Sequence, residues 1–371
     1  MKRFFLMMAA MLAFAGSLSA AQATKEFSRG LTTEVSIDGA FRVVMSEQYR
    51  NNIKIDFDDA LANLITTEIK GKQLKIYYSR GANKVLKNNN LDLPTIYIDR
   101  NFASYQFKDA VVATAEEKIE GAALKIRLDD NSSLRARIAV GKLEMTLTDA
   151  TTFEGEVNCQ EAKIAMNGSS SMEVKGLALK LNLTAQGSSN FKGSALDNQS
   201  MAKVSVSGSA VVEFGGRGTV TIATSGTSST TANVECKALN VKASGSSNVE
   251  LSGSSKSLKI AASGASRIEQ EKFQNDMSAK ITASGTSNVD IYSRGTMKIT
   301  ASGSATIFVK CDSNITVKAS NTAAVFHNTE AKLTKLTLKD QATVRAQEEE
   351  KPAVNVYASP YGNAAPRYMQ R

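Results

Sequence analysis

Apolar and polar residues alternate along most of this chain, and a turn of small residues interrupts the alternation at nearly regular intervals. Apolar residues at every second position are typical of β-strands, whose side chains point alternately to opposite faces. Weaker copies of the turn extend the series from Asp109-Ala110 to Asp340-Gln341. The clearest turns centre on eight glycines spaced 18 to 21 residues apart: Gly168, Gly187, Gly208, Gly226, Gly245, Gly264, Gly285 and Gly303.

The columns of this repeat indicate which residues point inward. The residues four positions before and four positions after each turn glycine are mostly apolar, as Ile164 and Met172 are around Gly168. The residue two positions after the glycine is small, as Ser266 is, and fits a cramped inner corner. One such unit cannot bury its own apolar edge, so the units must stack in register.

We therefore predict an all-β fold, a parallel β-helix (β-solenoid) of about a dozen coils with about 19 residues per coil. A sandwich of antiparallel hairpins is the competing fold. It would show turns every 8 to 12 residues or so, without one column recurring so regularly.

The period divides the chain into segments. Residues 24–105 lack it and are predicted to form a β-rich N-terminal cap that covers the end of the solenoid. The solenoid itself is predicted over residues 106–347. Residues 348–371 lose the pattern, hold three of the four prolines, and are predicted to be a flexible C-terminal tail. Four strands are predicted within the cap: Thr33–Asp38, Phe41–Ser46, Asn52–Phe57 and Gln73–Tyr78.

Residues 1–23 are predicted to be a secretory signal peptide. Lys2 and Arg3 form a basic start, and the apolar stretch that follows is short for a membrane span. Small residues between Ala20 and Ala23 offer competing cleavage sites. No later segment is apolar enough to cross a membrane as a helix. We therefore expect an exported protein of the periplasm, the outer-membrane surface or the extracellular space.

Composition narrows the chemistry. The chain has no Trp, a single His and three Cys, which leaves little room for His-based zinc sites or a Ser-His-Asp triad. Its 45 Lys and Arg outnumber its 36 Asp and Glu, for a formal net charge of +9. That excess is weak evidence for nucleic-acid binding without a clustered patch. We predict no cofactor and no nucleic-acid partner.

The segment from Phe27 to Met45 contains the run VSIDGAFRVVM and is followed by repeated Ala-Ser-Gly-x-Ser units between apolar residues. Over residues 27–346 this combination resembles the bacterial family described as putative auto-transporter adhesin, head GIN domain. The resemblance implies a right-handed parallel β-helix in a surface or secreted protein that is named an adhesin by analogy. It implies no catalytic residues.

Two outward columns carry opposite charges. Anionic glycans, envelope phosphates or the acidic column of a neighbouring copy are candidate partners of the basic column; alternatively, both columns are only solvated faces. The basic stripe, five residues before the turn, consists of Lys163, Lys203, Lys259, Lys280 and Lys298. The acidic stripe, five residues after it, consists of Glu173, Glu213, Glu250, Glu269 and Asp290.

Asp109, Asp130 and Asp149 are predicted to occupy one corner of three successive coils, just before the position of the turn glycine. Stacked carboxylates repel one another, so a Ca²⁺ ion is one interpretation. The favoured interpretation is that each carboxylate caps its own turn by accepting hydrogen bonds from backbone N–H groups. We therefore predict no metal site. His327 falls in an inward slot and is predicted to be packed rather than a ligand.

The cysteines give a test of the coil register. Cys159, Cys236 and Cys311 are predicted to lie four coils apart in turn, or nearly 20 Å at about 4.8 Å per coil. A disulfide spans at most about 7 Å between Cα atoms. We therefore predict three free thiols despite an oxidising export route.

These observations favour a non-enzymatic, exported, adhesin-like structural or binding protein of the cell envelope or surface. The alternative is a carbohydrate-processing β-helix enzyme of the polysaccharide lyase or hydrolase type. Such an enzyme needs carboxylates that converge on one groove. The acidic residues of this chain are scattered, and its coils are too short to carry long groove-building loops. The partner and the oligomeric state remain open at this point.

Overall fold

The computed structural model describes residues 22–82, 85–86 and 91–347. Most of the predicted signal peptide and all of the predicted tail, residues 348–371, therefore lie outside the described residues. Strands account for 69% of the structure, which is a β-solenoid of about 13 turns with roughly 19 residues per turn. The predicted fold class is confirmed.

The N-terminal part of the structure contains short strands and two 3₁₀ helices, Glu47–Tyr49 and Asp59–Leu61. Its strands are β1 Gln22–Ser28, β2 Glu34–Asp38, β3 Arg42–Met45, β4 Asn52–Asp58, β5 Ile65–Lys70, β6 Gln73–Tyr78, β7 Thr95–Ile98, β8 Ser104–Lys108 and β9 Val112–Ala115.

The first rung of the solenoid lies between two rungs that the chain forms later. Strand β2 pairs in parallel with both β6 and β8, and β3 pairs in parallel with both β7 and β9. The rung made by β2 and β3 is therefore second in the stack, with β6 and β7 outside it. Solenoid pairing thus begins inside the segment 24–105 that the sequence predicts as a cap.

Antiparallel strands close the N-terminal end of the stack. Strand β5 pairs antiparallel with β6, while β4 pairs antiparallel with β7 and carries β1 on its other side. The outer edge of the terminal rung is thereby hydrogen-bonded. An edge covered in this way is protected from pairing with another chain.

From residue 119 onward the chain adds one rung after another. The strands are β10 Ile119–Leu128, β11 Ser133–Leu147, β12 Thr152–Met166, β13 Ser171–Ala185, β14 Asn190–Gly193, β15 Leu196–Val206, β16 Val211–Thr224, β17 Ser229–Ala243, β18 Asn248–Ala262, β19 Arg267–Ala283, β20 Asn288–Ser293, β21 Thr296–Ala301, β22 Thr306–Cys311, β23 Asn314–Ala319, β24 Ala324–Asn328, β25 Lys332–Leu338 and β26 Thr343–Gln347.

Each of these strands pairs in parallel with the strands one rung away, so equivalent side chains stack on one another. Ile164 lies opposite Leu183, and Met172 lies opposite Phe191. All four side chains are buried in one continuous apolar core. The inward columns predicted four residues before and after the turn are therefore confirmed.

The turn glycine has two physical reasons to be glycine, as Gly264 illustrates. Its φ is +68°, and a Cβ atom would lie 2.8 Å from the carbonyl oxygen of Gly245 in the rung below. That oxygen accepts a 2.8 Å hydrogen bond from the N–H of Ala265. Left-handed backbone and close approach of the next rung both exclude a side chain here.

The structure corrects the predicted position of the aspartates. Asp109, Asp130 and Asp149 stand at the glycine position itself, with φ of 58°, 51° and 63°, and not one residue before it. Asp149 lies directly beneath Gly168. Aspartate tolerates this left-handed conformation better than most residues, which explains how these rungs turn without glycine.

The position two residues after the turn faces inward, as predicted. Ser247, Ser266 and Ser287 are buried. The hydroxyl of Ser266 donates a 3.3 Å hydrogen bond to the carbonyl oxygen of Ala243 in the neighbouring rung. Small hydroxyl side chains thus fill the inner corner without leaving it empty.

The three cysteines are buried free thiols. Strand pairing separates Cys159 from Cys236 by four rungs, through Ala178 and Asn198, as the sequence predicts. Burial raises the pKa of Cys159 and of Cys236 to about 11. These thiols are therefore protonated at neutral pH and behave as small apolar core residues.

Candidate binding surface

The strand half that precedes the turn glycine presents an exposed face with a row of lysines. Lys259 on β18 lies opposite Lys280 on β19, and Lys280 lies opposite Lys298 on β21. All three side chains are exposed. Because neighbouring rungs are about 4.8 Å apart, three positive charges follow one another along the rod. We call Lys259, Lys280 and Lys298 the lysine row.

The described residues do not neutralise the lysine row. In the described part of the chain, none of its three ammonium groups forms an ion pair or a side-chain hydrogen bond. Like charges at this spacing repel one another, although solvent and salt reduce the effect at an exposed face. A bound anion would remove that repulsion.

Small polar side chains surround the lysine row and leave its ammonium groups accessible. The row crosses a shallow depression of about 510 Å³. Hydroxyl and amide groups there can exchange hydrogen bonds with a ligand held by the lysines. The polar residues of this depression are Asn240, Ser257, Ser278, Thr296, Asn314 and Thr316.

The structure separates the other two residues of the basic stripe from the lysine row. Lys163 lies beside Glu144, with 3.3 Å between Nζ and Oε1. Asn182 lies between Lys163 and Lys203 in the stack. Thr221 and Asn240 occupy the two rungs between Lys203 and Lys259. Three of the five predicted residues therefore form a continuous row, and two do not.

Three of the five residues of the acidic stripe also form a continuous row, and part of their charge is compensated. Glu250, Glu269 and Asp290 occupy three successive rungs. Arg267 forms an ion pair with Glu269, so part of this charge is compensated. Partial burial and the neighbouring Glu269 carboxylate raise the pKa of Asp290.

Nearer the N-terminus, the same face carries both signs of charge. Lys192 lies between Glu173 and Glu213 in the stack. One rung below Glu173, Glu154 forms a 2.6 Å ion pair with Arg135. These residues line a depression of about 520 Å³. Because its charges alternate, this surface offers no single sign of potential to a polymer.

The aspartate corner carries electrostatic strain. Partial burial, the carboxyl of Asp109 and the charge of Asp130 raise the pKa of Asp38. Partial burial together with Asp109 and Asp149 raises the pKa of Asp130. Among the described residues, no group of three or more His, Cys, Asp or Glu side chains is arranged to hold a metal ion.

His327 is half-buried and lies opposite Val309 in the rung below. Its Nδ1 lies 2.8 Å from the carbonyl oxygen of Asn328. The imidazole is thus engaged with its own backbone, as expected for a packed side chain near the end of the core.

Sequence reasoning did not single out the hydroxyl groups beside the lysine row. Ser257, Ser278 and Thr296 stand seven residues before their turn glycines, next to the lysine column on the same face. The period that identifies the lysines also identifies this column, so the signal was present in the sequence.

The sequence matches the family described as putative auto-transporter adhesin, head GIN domain, over residues 33–232 and 215–313. These two matches include both the first rung of the solenoid and the lysine row. No curated protein matches the chain.

Solved structures share the fold. A putative adhesin from Parabacteroides merdae is 14% identical with a TM-score of 0.55, over 62% of this chain and 96% of the other. A putative adhesin from Parabacteroides distasonis is 15% identical with a TM-score of 0.53, over 62% of this chain and 96% of the other.

Within the described residues, no helix has the length and apolar character needed to cross a membrane.

Proposed function

Because this chain belongs to the putative auto-transporter adhesin, head GIN domain family, whose name describes adhesin-like surface or exported proteins, we propose that it binds anionic polysaccharide at a cell surface. The binding surface is the lysine row, and the role is adhesive rather than enzymatic. The predicted signal peptide, residues 1–23, delivers the chain to the envelope or beyond it.

The observation that carries this proposal is the register of Lys259, Lys280 and Lys298. A flat row of evenly spaced cations suits an extended polymer with repeated carboxylate or sulfate groups. Electrostatic attraction accelerates such an encounter, and the surrounding hydroxyl groups supply hydrogen bonds. Weak contacts of this kind gain strength when several are made along one polymer.

The distribution of acidic residues supports the non-enzymatic part of the proposal. Glycoside hydrolysis needs two carboxyl groups that flank the scissile bond from opposite sides. Glu269 and Asp290 lie side by side on one outer face of the rod, where they cannot flank a bond from opposite sides, and Glu269 is paired with Arg267. The rod therefore offers a platform for binding.

The test is binding of the purified mature protein to polygalacturonate, measured by isothermal titration calorimetry at low salt. The variant carries Lys259→Gln, Lys280→Gln and Lys298→Gln. Because the substitutions remove three exposed charges and no core contact, we expect roughly a tenfold or greater loss of affinity with little change in Tm.

A matched control removes three lysines from the same face where acidic residues compensate them. In the stack, Lys142 and Lys180 flank Glu161, and Lys163 pairs with Glu144. The triple variant Lys142→Gln, Lys163→Gln and Lys180→Gln has the same net charge as the test variant. It should bind like the wild type. An equal loss of affinity in both variants would mean that binding depends only on net charge, and it would contradict the proposal.

Two further probes separate the polysaccharide from other anionic partners. Neutral dextran should not bind. Vesicles that contain phosphatidylglycerol should bind more weakly than polygalacturonate, because a flat row of lysines contacts few headgroups. Tighter binding to the vesicles would overturn the choice of polysaccharide.

A further inference from the structure

Two phenylalanines point outward from the strand half that follows the turn, in the last described rungs of the solenoid. Phe308 on β22 alternates with the buried Ile307 and Val309, and it lies opposite Phe326 on β24. The two ring centroids are 4.9 Å apart and the ring planes are inclined by 11°, so the rings stack along the rod. Both side chains are half-buried, and neither belongs to the buried apolar core of the described residues.

This aromatic stack departs from the rest of its column. In the core of the solenoid, Phe153, Phe191 and Phe214 are fully buried, so an outward phenylalanine is not what the fold requires. Contiguous apolar surface on an otherwise polar face is typical of a protein interaction site. The outward column is polar or charged in the rungs before the stack, at Thr231, Glu250, Glu269 and Asp290.

Opposite charges lie at the two ends of the stack. Asp290 lies opposite Phe308 in the preceding rung, and Arg345 lies opposite Phe326 in the following rung. Both charged side chains are exposed, and neither forms an ion pair within the described part of the chain. Partial burial and the neighbouring Glu269 carboxylate raise the pKa of Asp290, which a cationic partner would lower. Along the rod the order is acid, aromatic, aromatic, base.

A two-fold axis turns this order into complementarity with a second copy of the chain. The axis stands perpendicular to the face and passes between Phe308 and Phe326. It places Asp290 of each copy opposite Arg345 of the other, and it brings the two aromatic stacks together at the centre. Two-fold interfaces are self-complementary in this way. Acid therefore faces base twice, and no like charges oppose one another in this column.

The neighbouring outward column leaves room for such a contact. It carries Asn288, Thr306, Ala324 and Thr343, which are all smaller than phenylalanine. Facing sheets pack about 10 Å apart with interdigitated side chains. Four rungs at about 4.8 Å, with strands of five or six residues at about 3.3 Å each, present about 350 Å² per copy. Stable complexes bury about 800 Å² per partner, so a contact of this size is weak.

We propose that Phe308 and Phe326, between Asp290 and Arg345, form the contact surface of a weak dimer in which two rods lie antiparallel. The aromatic stacks exclude water at the centre, and the two ion pairs fix the register. A weak contact of this kind becomes effective when many copies are held close together on one surface. The inference is independent of the lysine row, which lies on the strand half before the turn glycine.

Exchange of the two charges tests the dimer by sedimentation equilibrium of the mature chain at low salt. Asp290→Arg turns both ion pairs into pairs of cations, and Arg345→Asp turns both into pairs of carboxylates. Each variant alone should raise the Kd of the dimer at least roughly tenfold. An equimolar mixture of the two variants, one of them fluorescently labelled, should associate as the wild type does, because acid again faces base at both ends.

The matched control is Glu250→Arg, which makes the same change of charge in the same column, two rungs before Asp290 and outside the overlap. It should dimerise like the wild type. A wild type that stays monomeric at hundreds of micromolar would overturn the proposal. So would a mixture that associates no better than the single variants, or an equal loss in the Glu250→Arg control.

A second pair of variants separates this face from the lysine row. Phe308→Thr with Phe326→Thr should abolish the dimer, because it removes the apolar centre and leaves both ion pairs. The glutamine variant of Lys259, Lys280 and Lys298 should dimerise like the wild type. Loss of the dimer in the lysine variant, with dimerisation intact in the phenylalanine variant, would place self-association on the lysine row and overturn the proposal.

Discussion

The rungs from residue 109 to 149 and the rungs from residue 168 to 303 turn the same corner with different residues. The later rungs use glycine, with φ of 68° to 76° from Gly168 to Gly303. The earlier rungs use aspartate at the same position, with φ of 51° to 63°. Both sets keep the stack in register. The fold therefore requires a left-handed backbone at this corner, and glycine is one way to provide it.

The two solutions differ in what they cost. Glycine carries no side chain, so the corner can pack against the rung below, as Gly264 does against Gly245. Aspartate keeps the left-handed backbone but places carboxylates on successive rungs. Partial burial, together with the charges of Asp109 and Asp149, raises the pKa of Asp130. The comparison separates the steric requirement of the corner from its electrostatic cost.

The largest expected effect tests the steric requirement. Gly264→Ala forces a left-handed alanine and a Cβ atom against the Gly245 carbonyl oxygen. Gly30→Ala is the matched control, because Gly30 has φ of +59° but nothing within 4 Å of the added atom. In urea unfolding, the free energy of unfolding of the control should fall by about 1–2 kcal/mol because of the left-handed conformation alone. That of Gly264→Ala should fall by about 1–3 kcal/mol more, because of the added contact with the rung below. Equal losses in the two variants would contradict the steric requirement.

The inner side of the corner should respond next. Ser266→Leu places a large side chain in a buried position flanked by Ser247 and Ser287, and overpacking should cost about 1–3 kcal/mol. Ser254, in the second turn of its coil, is only half-buried. Ser254→Leu should therefore lower Tm by less. Thermal melts that rank the two variants in the opposite order would contradict the inward assignment of the corner.

The smallest effect concerns the carboxylates. Asp130→Asn keeps a residue that tolerates the left-handed conformation, as Asn321 does at the same position with φ of 58°. It removes repulsion from Asp109 and Asp149, so the free energy of unfolding at pH 7 should increase slightly. Asp340→Asn is the control, because Asn321 occupies the neighbouring corner. A gain that is equal in both variants would contradict the repulsion.

The pH dependence of that gain has a definite sign. The pKa of Asp130 is raised in the folded protein, so the folded state holds its proton more tightly than the unfolded chain does. The ionised carboxyl therefore destabilises the fold at neutral pH and ceases to do so as pH falls. The advantage of Asp130→Asn should shrink through the raised pKa and vanish below the ordinary value of 3.8.

Much of the fold could be predicted because the glycine period and the alternation of apolar and polar residues can both be read from short stretches of sequence. The predicted strand Gln73–Tyr78 matches β6, and Asn52–Phe57 matches β4 to within one residue. The sequence did not predict β5 or β7. The position of the β2–β3 rung between later rungs was also missed, because it depends on pairing across long stretches of chain. The alternation of side chains shows which residues face inward, but it is the same whichever rung lies next to the strand, so it does not give the order of the rungs.

The candidate site follows the same division. The column of lysines could be predicted from the period, and the exposed row Lys259, Lys280 and Lys298 lies where the period places it. The ion pair between Lys163 and Glu144 could not be predicted, because it depends on which residues face each other on neighbouring rungs. The aspartate corner was misplaced by one residue because no glycine marks the left-handed position there.

The most direct test of the lysine row is the salt dependence of binding to polygalacturonate. Binding that rests on an uncompensated row of cations weakens steeply as ionic strength rises. The affinity of the wild type and of the Lys142, Lys163 and Lys180 control should fall with the same slope. The triple glutamine variant of Lys259, Lys280 and Lys298 should bind weakly and show a much shallower slope. The same steep slope in all three proteins would contradict the assignment of the binding surface to the lysine row.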